Sequence, residues 1–415
     1  MKHKSLIFIL LFFVLSGCAR IIEKPPAPAP VKPRPARPVE IPPTPVKAQE
    51  ALVRVDANTL PPIFSGVDKL PLEIAVLKSI GFYERSSGRS FRFGSDTYSA
   101  DHLRQSLLRF LDILRDSDPP ESKERRVRES FLAYKSVGRP GKGTVLFTGY
   151  FEPVLNASQT KKESFNWPIY MVPDDLIAVD LGRFRDKYRG ERIVGRVEKQ
   201  ALVPYYNRCE IDRDGRLVDR GLEIAWFADP VDVFNLHIQG SGMICYPDRD
   251  CIQVSYANAN GRSYRSIGRY LQDAGKVSEQ EMSYQSINKY LREHPEELSD
   301  ILCQNESYVF FRIVPQGPVG GLGVPLTAGC SIATDPVYFP KGALALVKTR
   351  RPVFDDSGKL LRWIEFSRAV LNQDAGGAIK GPGRVDIFFG TGSQAELEAG
   401  GMKEEGELYF LVMKK

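Results

Sequence analysis

Residues 373–392 read QDAGGAIKGPGRVDIFFGTG. Two aspartates, Asp374 and Asp386, stand among six glycines with few other titratable groups beside them. Ala378 and Ile379 follow the first; Val385, Ile387, Phe388 and Phe389 surround the second. The pattern RVDIFFG predicts a strand with Asp386 on the face opposite Val385 and Ile387. Bulky neighbours desolvate such a carboxyl and raise its pKa. A carboxylic acid still protonated near neutrality can act as a general acid, a role worth about 100- to 10,000-fold in rate. Gly376 and Gly377 clear side chains from around Asp374, so that backbone or a bulky substrate can approach. From composition alone a structural reading stays open, in which both acids sit at turns or strand ends and accept backbone N–H groups.

The neighbouring segments extend this strand into a run. YVFFRIV, LTAGCSIATD, ALALVKTRRPVF, RWIEFSRAVLNQD and ELYFLVMKK all read as strands. An earlier run begins with GKGTVLFTGYFEPVL and continues through ESFNWPIYMV, LEIAWFA and VFNLHIQGSGMICY to about Gln253. Residues 68–137 read as helical, with Leu103, Leu107, Leu108, Leu111 and Leu114 forming one stripe. A second helical stretch covers 263–302, and the folded chain is expected to start near Ile63. Helices, strands, helices, strands is not the alternation of a parallel sheet. It predicts an α+β fold, mainly β, with barrels.

The 415 residues suffice for two domains or for one with a large insertion. With 42% hydrophobic and 26% charged residues, most of the chain should pack into a globule. The net charge of +6 comes without a Lys/Arg run interleaved with aromatics, which argues against nucleic acid as a partner. The N-terminus has a positive MKHK followed by the short apolar SLIFILLFFVL, a signal pattern too short for an ordinary membrane span. It ends in Leu15-Ser16-Gly17-Cys18, which resembles a bacterial lipobox, with Cys18 as the lipidated residue. Ala19 after the Cys favours the outer membrane over retention in the inner one. The Pro-rich stretch KPPAPAPVKPRPARPVEIPPTPVK follows and reads as a semi-rigid spacer. Cys245 and Cys251 enclose the turn-rich YPDRD, where export would permit a disulfide, and their pairing stays open. The Cys spacing fits no zinc pattern and the four His are scattered, which argues against a metal site.

Other segments supply groups suited to a sugar polymer. Tyr150 lies in GYFEP, Gln239-Gly240-Ser241-Gly242 closes an apolar run expected to be a strand, and Tyr256 and Asn258 belong to SYANANG. Aromatic rings can stack on apolar sugar faces while amides bond hydroxyls. Gly240-Ser241-Gly242 is not a nucleophile elbow, because the spacing of flanking glycines fails.

Taken together, GYFEPVLNAS, IQGSG, YANANGRSYRSIGRYL, NESYVFFR, VPLTAGCSIATD and QDAGGAIKGPGRVDIFFGTG resemble the membrane-bound lytic murein transglycosylase A family, in order and from about residue 65 to the C-terminus. The resemblance implies a double-psi β-barrel domain from 51–153 and 318–415, a β-rich insertion at 154–317, and a substrate groove between them. Residues 1–18 would be the lipoprotein signal and 19–50 the linker. The C-terminal part resembles the three-aspartate domain of that family, whose acids fall on Asp335, Asp374 and Asp386. Asp386 would then be the single catalytic acid and base, Asp374 the holder of the hydrogen-bond network, and Asp335 a structural acid. Tyr150, Gln239, Gly240, Ser241, Gly242, Tyr256, Asn258 and Gly377 would line the groove. GYFEP departs from the family in its Phe, where a Tyr is frequent, and neither that change nor the variable Glu152 position touches the acids.

The implied reaction cleaves the β-1,4 bond between N-acetylmuramic acid and N-acetylglucosamine and forms 1,6-anhydromuramoyl ends, without cofactor or metal. The implied partners are peptidoglycan strands, the membrane through lipid on Cys18, and a cell-wall synthesis complex. The implied location is the periplasmic face of a Gram-negative outer membrane. Two other readings compete. One is a non-catalytic wall-binding protein, since fold does not fix function. The other is a muramidase-type hydrolase, which would need a second carboxylate such as Glu152 or Asp374.

Overall fold

The C-terminal strands close on themselves. In this computed structural model, which describes residues 46–64, 68–278, 282–355 and 358–415, Leu360–Asp374 pairs antiparallel with Leu344–Phe354, which pairs with Lys403–Met413. Lys403–Met413 pairs with Val145–Glu152, which runs parallel to Arg384–Thr391. Ser331–Ala333 completes the ring, antiparallel to Arg384–Thr391 and parallel to Leu360–Asp374. Six strands thus make a closed barrel, and the fold is α+β, mainly β, with the double-psi barrel that the family resemblance implies. The signal segment, Cys18 and the Pro-rich stretch up to residue 45 lie outside the described residues.

The barrel strands follow their apolar patterns. Val385 and Ile387 are fully buried, with Asp386 on the opposite face. Leu344, Ala345, Leu346 and Val347 are all buried, because helices cover the barrel outside the strand. One of these helices is Ala100–Arg115, capped by Ser99, whose hydroxyl accepts from the His102 amide at 3.2 Å. It buries Leu103, Leu107, Leu111 and Leu114 together with Phe110, while Leu108 of the expected stripe packs only at the edge.

The helical expectation for 68–137 needs correction. Between the helices Lys69–Glu84 and Ala100–Arg115 lies a hairpin, Ser90–Phe93 with Asp96–Ser99. Phe131–Ser136 is a strand that pairs with Leu52–Val55, so ordered structure begins upstream of Ile63. A four-residue strand beside a proline-rich stretch carries little pattern of its own.

The residues between Glu152 and the Ser331 strand build a second layer. Val154–Asn156, Ser241–Tyr246, Arg249–Ala259 and Val309–Val314 form a four-stranded sheet. A two-stranded sheet, Trp167–Tyr170 with Glu223–Phe227, and a three-stranded sheet from 177–204 flank it. Helices Ile267–Asp273, Tyr284–Glu293 and Pro295–Cys303 occupy the expected helical stretch. The run VFNLHIQ, expected as a strand, is instead the helix Pro230–Gln239. Asp229 caps it by accepting from the Val231 amide at 2.8 Å, Pro230 opens it, and Gly240 closes it with φ 76°. Val231, Val233, Phe234, Leu236 and His237 are all buried, so no single apolar face marks the helical period. The helix Ser393–Gly401 between the last two barrel strands was likewise not anticipated. Cys245 pairs with Cys251, and Cys209 pairs with Cys303 across the layer.

Candidate active site

Ala333 sits between the two aspartates. It pairs with Asp374 on one side and with Asp386 on the other. At about 4.8 Å per strand, this register sets the two backbones about 10 Å apart. A small residue between them leaves the space above the sheet open.

Asp374 is surrounded by donors. Its Oδ2 accepts from the Tyr150 hydroxyl at 2.8 Å, and its Oδ1 accepts from the Gly321 and Ala375 amides at 2.7 and 2.8 Å. These bonds favour the ionised form, but burial outweighs them and raises the Asp374 pKa. Tyr150 is half-buried beside two carboxyls, and its phenol is pushed well above the usual range, first by desolvation and then by Asp374.

Asp386 is in a different situation. Its side chain keeps 17% of its surface exposed, yet Oδ1 is buried without a hydrogen-bond partner. Burial pushes its pKa up to about 6; Asp374 adds to that push and Arg384 opposes it. The Arg384 guanidinium lies 3.7 Å away and donates instead to Thr148 Oγ1 at 3.0 Å. A cation near Asp386 thus corrects the expectation of a site poor in charge.

A cavity of about 630 Å³ opens beside these acids, walled by Tyr150, Gln239, Gly240, Ser241, Tyr256, Asp374 and Gly377. Asp386 is not among the lining residues, but Tyr264, which is, lies near enough to feel its charge. The Gln239 amide oxygen accepts from the Phe151 backbone at 3.1 Å and so ties the helix end to the GYFEP strand. Two expected residues are elsewhere. Gly242 is buried where a Cβ would meet Leu236 at 2.5 Å, and Asn258 sits at a bulge with its side chain accepting from the Ala259 amide at 3.0 Å. Asp335, only 4% exposed, accepts from the Val337 and Gly381 amides at 3.1 and 2.8 Å, holding the turn that precedes the Asp386 strand.

Two further residues escaped the sequence reading. Tyr264 lines the cavity close enough to Arg384 and Asp386 to feel both charges, and its side chain stays 42% exposed there. It lies within the SYRSIG segment, which was its only signal. Arg208, 1% exposed, lies under the cavity and donates to the Asn305 and Ser307 carbonyls at 3.1 and 2.7 Å. Nothing in its local sequence marks it. Glu152 is also buried; both its carboxylate oxygens are taken, one by Gln253 and one by the Thr391 hydroxyl at 2.8 Å. Among the described residues no group of three or more His, Cys, Asp and Glu is arranged to hold a metal.

Known proteins resemble this chain in sequence and fold. The MltA specific insert domain matches residues 146–312, and the 3D domain matches 330–412. Membrane-bound lytic murein transglycosylase A of Escherichia coli K12 is 33% identical over 282 residues, covering 67% of this chain and 68% of that protein. The chain belongs to the membrane-bound lytic murein transglycosylase A family. A crystal structure of the membrane-bound lytic murein transglycosylase from Agrobacterium tumefaciens aligns with TM-score 0.72 at 29% identity, over 88% of this chain and 98% of that one. E. coli MltA with bound chitohexaose aligns with TM-score 0.65 at 27% identity, over 89% and 96% of the two chains. Both aspartates lie in the second match, while the first begins within the barrel strand Val145–Glu152 and runs on through the second layer.

Proposed function

We propose that this member of the family is a lytic transglycosylase of peptidoglycan in which Asp386 serves first as acid and then as base. The observation that carries the reading is the Asp386 carboxyl, desolvated, unshared with any donor and held to about pKa 6. Such a group is still protonated in a useful fraction near neutrality and is free to give its proton away.

The neutral carboxyl donates to the glycosidic oxygen between N-acetylmuramic acid and N-acetylglucosamine. The C1–O bond breaks through an oxocarbenium-like state. Asp386, now ionised and 3.7 Å from Arg384, removes the proton of the muramoyl C6 hydroxyl. That oxygen bonds to C1, and the carboxyl is restored to its starting form. Atoms balance without water, so the product carries a 1,6-anhydro ring. Asp374 and Tyr150 keep the neighbouring wall rigid. No second carboxylate is needed, in contrast to ordinary glycosidases. The chitohexaose held by a relative supports a groove for β-linked amino sugars; here Tyr256 offers a ring, and Gly377 leaves open space.

In the same reading, 51–153 with 318–415 form the catalytic domain and 154–317 the insertion that walls the groove. The relatives' membrane-bound character supports attachment to a membrane, with lipid on Cys18 and the periplasmic face of the outer membrane as the specific form, where a wall-synthesis complex could recruit it.

The test uses the chain from residue 19 and purified peptidoglycan, with released muropeptides read by mass spectrometry. Products one water lighter than hydrolytic ones, absent with Asp386→Asn, are expected. Reducing-end products would replace this reading with hydrolysis. Sedimentation with the wall without any product would make the protein a binder.

A further inference from the structure

The three-stranded sheet at 177–204 carries a surface that the cleavage chemistry does not use. Its strands are Ile177–Asp180, Arg192–Glu198 and Ala201–Pro204, all antiparallel. Val179 pairs with Ile193, Ile177 with Gly195, and Leu202 with Val197, which sets these side chains on one face. That face is open: Ile177 is 39% exposed, Ile193 45%, Val197 58% and Leu202 40%. The adjoining loop carries Phe184 at 73% exposure, the highest of any large apolar residue among those described.

The rim of this face is basic. The loop LGRFRDKYRGER, residues 181–192, holds Arg183, Arg185, Lys187, Arg189 and Arg192 against Asp186 and Glu191. Asp186 is already bound by Arg189 at 2.8 Å. Arg183 and Arg185 flank Phe184 and are exposed, and their guanidinium groups have no acid or hydrogen-bond partner among the described residues. An open recess of about 840 Å³ brings Val179 and Phe184 together with Arg183, Arg189 and Arg192.

We propose that this arm docks on an anionic phospholipid surface. Apolar side chains beside unpaired cations are what an interfacial element needs: the first enter the headgroup boundary while the second meet phosphates. A glycan strand fits the face less well, because β-branched and Leu side chains offer its hydroxyls no partners. A second copy of the chain would bring like-charged rims together in a two-fold dimer, since such an interface meets itself. Docking here would also fix the cavity relative to the membrane. Val194, on the opposite face of the same strand, packs against Gly261, where a Cβ would come within 2.7 Å. Gly261 lies three residues before Tyr264 of the cavity wall. The proposal rests on the arm alone and stands apart from the identity of the catalytic acid.

The chain from residue 19, without an acyl group, would be sedimented with sucrose-loaded vesicles of phosphatidylglycerol and phosphatidylethanolamine, and with vesicles of phosphatidylcholine alone. Binding is expected to the first, weakening with salt, and not to the second. Each cation removed should cost about fivefold in partitioning, so Arg183→Ala with Arg185→Ala together should cost about 25-fold. Phe184→Ser and, separately, Val197→Ser should weaken binding to the same vesicles while the thermal midpoint and cleavage of soluble glycan fragments stay unchanged. Four results would overturn the proposal. The wild type could ignore phosphatidylglycerol, or bind phosphatidylcholine equally. The folded variants could bind like the wild type. A concentration-dependent dimer abolished by Phe184→Ser would instead assign the face to a second copy.

Discussion

The Tyr150 hydroxyl donates to Asp374 Oδ2 at 2.8 Å, whereas Asp386, one strand beyond Ala333, has a buried oxygen that receives nothing. Two carboxyls on neighbouring positions of one barrel are thus treated oppositely. Asp374 is tied by three donors, and Asp386 is desolvated and left free. Pushing the environments of two acids apart is how a site divides holding from proton transfer.

The first consequence is a pH dependence. If Asp386 must begin protonated, kcat/KM should fall as pH rises through about 6, approaching tenfold per pH unit above it. A profile measured on soluble glycan fragments between pH 4 and about 8 would show this limb. A rate flat to the alkaline end would remove Asp386 as the starting acid.

Asp374 should move that limb without being the acid. Its charge raises the Asp386 pKa, so Asp374→Asn should shift the descending limb to lower pH. Loss of the Tyr150 contact should also lower kcat by about 100-fold, the scale of a misplaced wall. An unshifted limb with reduced kcat would give Asp374 a purely structural role.

Replacing Asp386 should move stability in the opposite sense to activity. The folded protein holds the Asp386 proton up to about pH 6, while the unfolded chain releases it near 3.8. Ionisation therefore opposes folding: wild-type stability falls as pH rises from the lower value through the upper one, and the penalty is complete above it. Asp386→Asn removes the penalty. Near neutral pH the variant should be more stable by up to about 3 kcal/mol, with the gain vanishing below pH 4. Urea melts at pH 4 and about 7.5 measure the difference. Equal stabilities at the higher pH would contradict the desolvation of this carboxyl.

Much of this arrangement was legible because the barrel is built from local apolar runs. Leu344–Val347, Val385 and Ile387 announce strands by themselves, and the glycines around Asp374 announce close approach. What escaped depends on surroundings. Pro230–Gln239 lost its helical period because it is buried on most sides, leaving only Asp229, Pro230 and Gly240 as signals. The Tyr150 contact spans 224 residues, and the Cys209–Cys303 pair spans 94, so neither follows from neighbouring residues. Arg208 finds its carbonyl partners only after the layer has folded. The family resemblance located the acids, but their unequal hydrogen bonding is a property of the packed site.

Glu152 gives the last prediction, because it was a candidate for a second catalytic carboxylate. It ends the barrel strand Val145–Glu152, and its buried carboxylate joins Gln253 of the four-stranded sheet to Thr391 of the barrel. Its backbone carbonyl also accepts from the Gly392 amide at 3.0 Å. The residue therefore fastens the two layers at the point where the chain passes from one to the other. Replacing it with Ala strands two buried polar partners and should cost about 2 to 3 kcal/mol. Glu152→Gln keeps the size and one acceptor, so it should cost less and leave the anhydro product unchanged. Thermal melts and muropeptide mass spectra of both variants separate the roles. A stably folded Glu152→Gln protein that cleaves nothing would return Glu152 to the catalytic machinery, whereas retained anhydro products with a lowered midpoint fit a fastening residue.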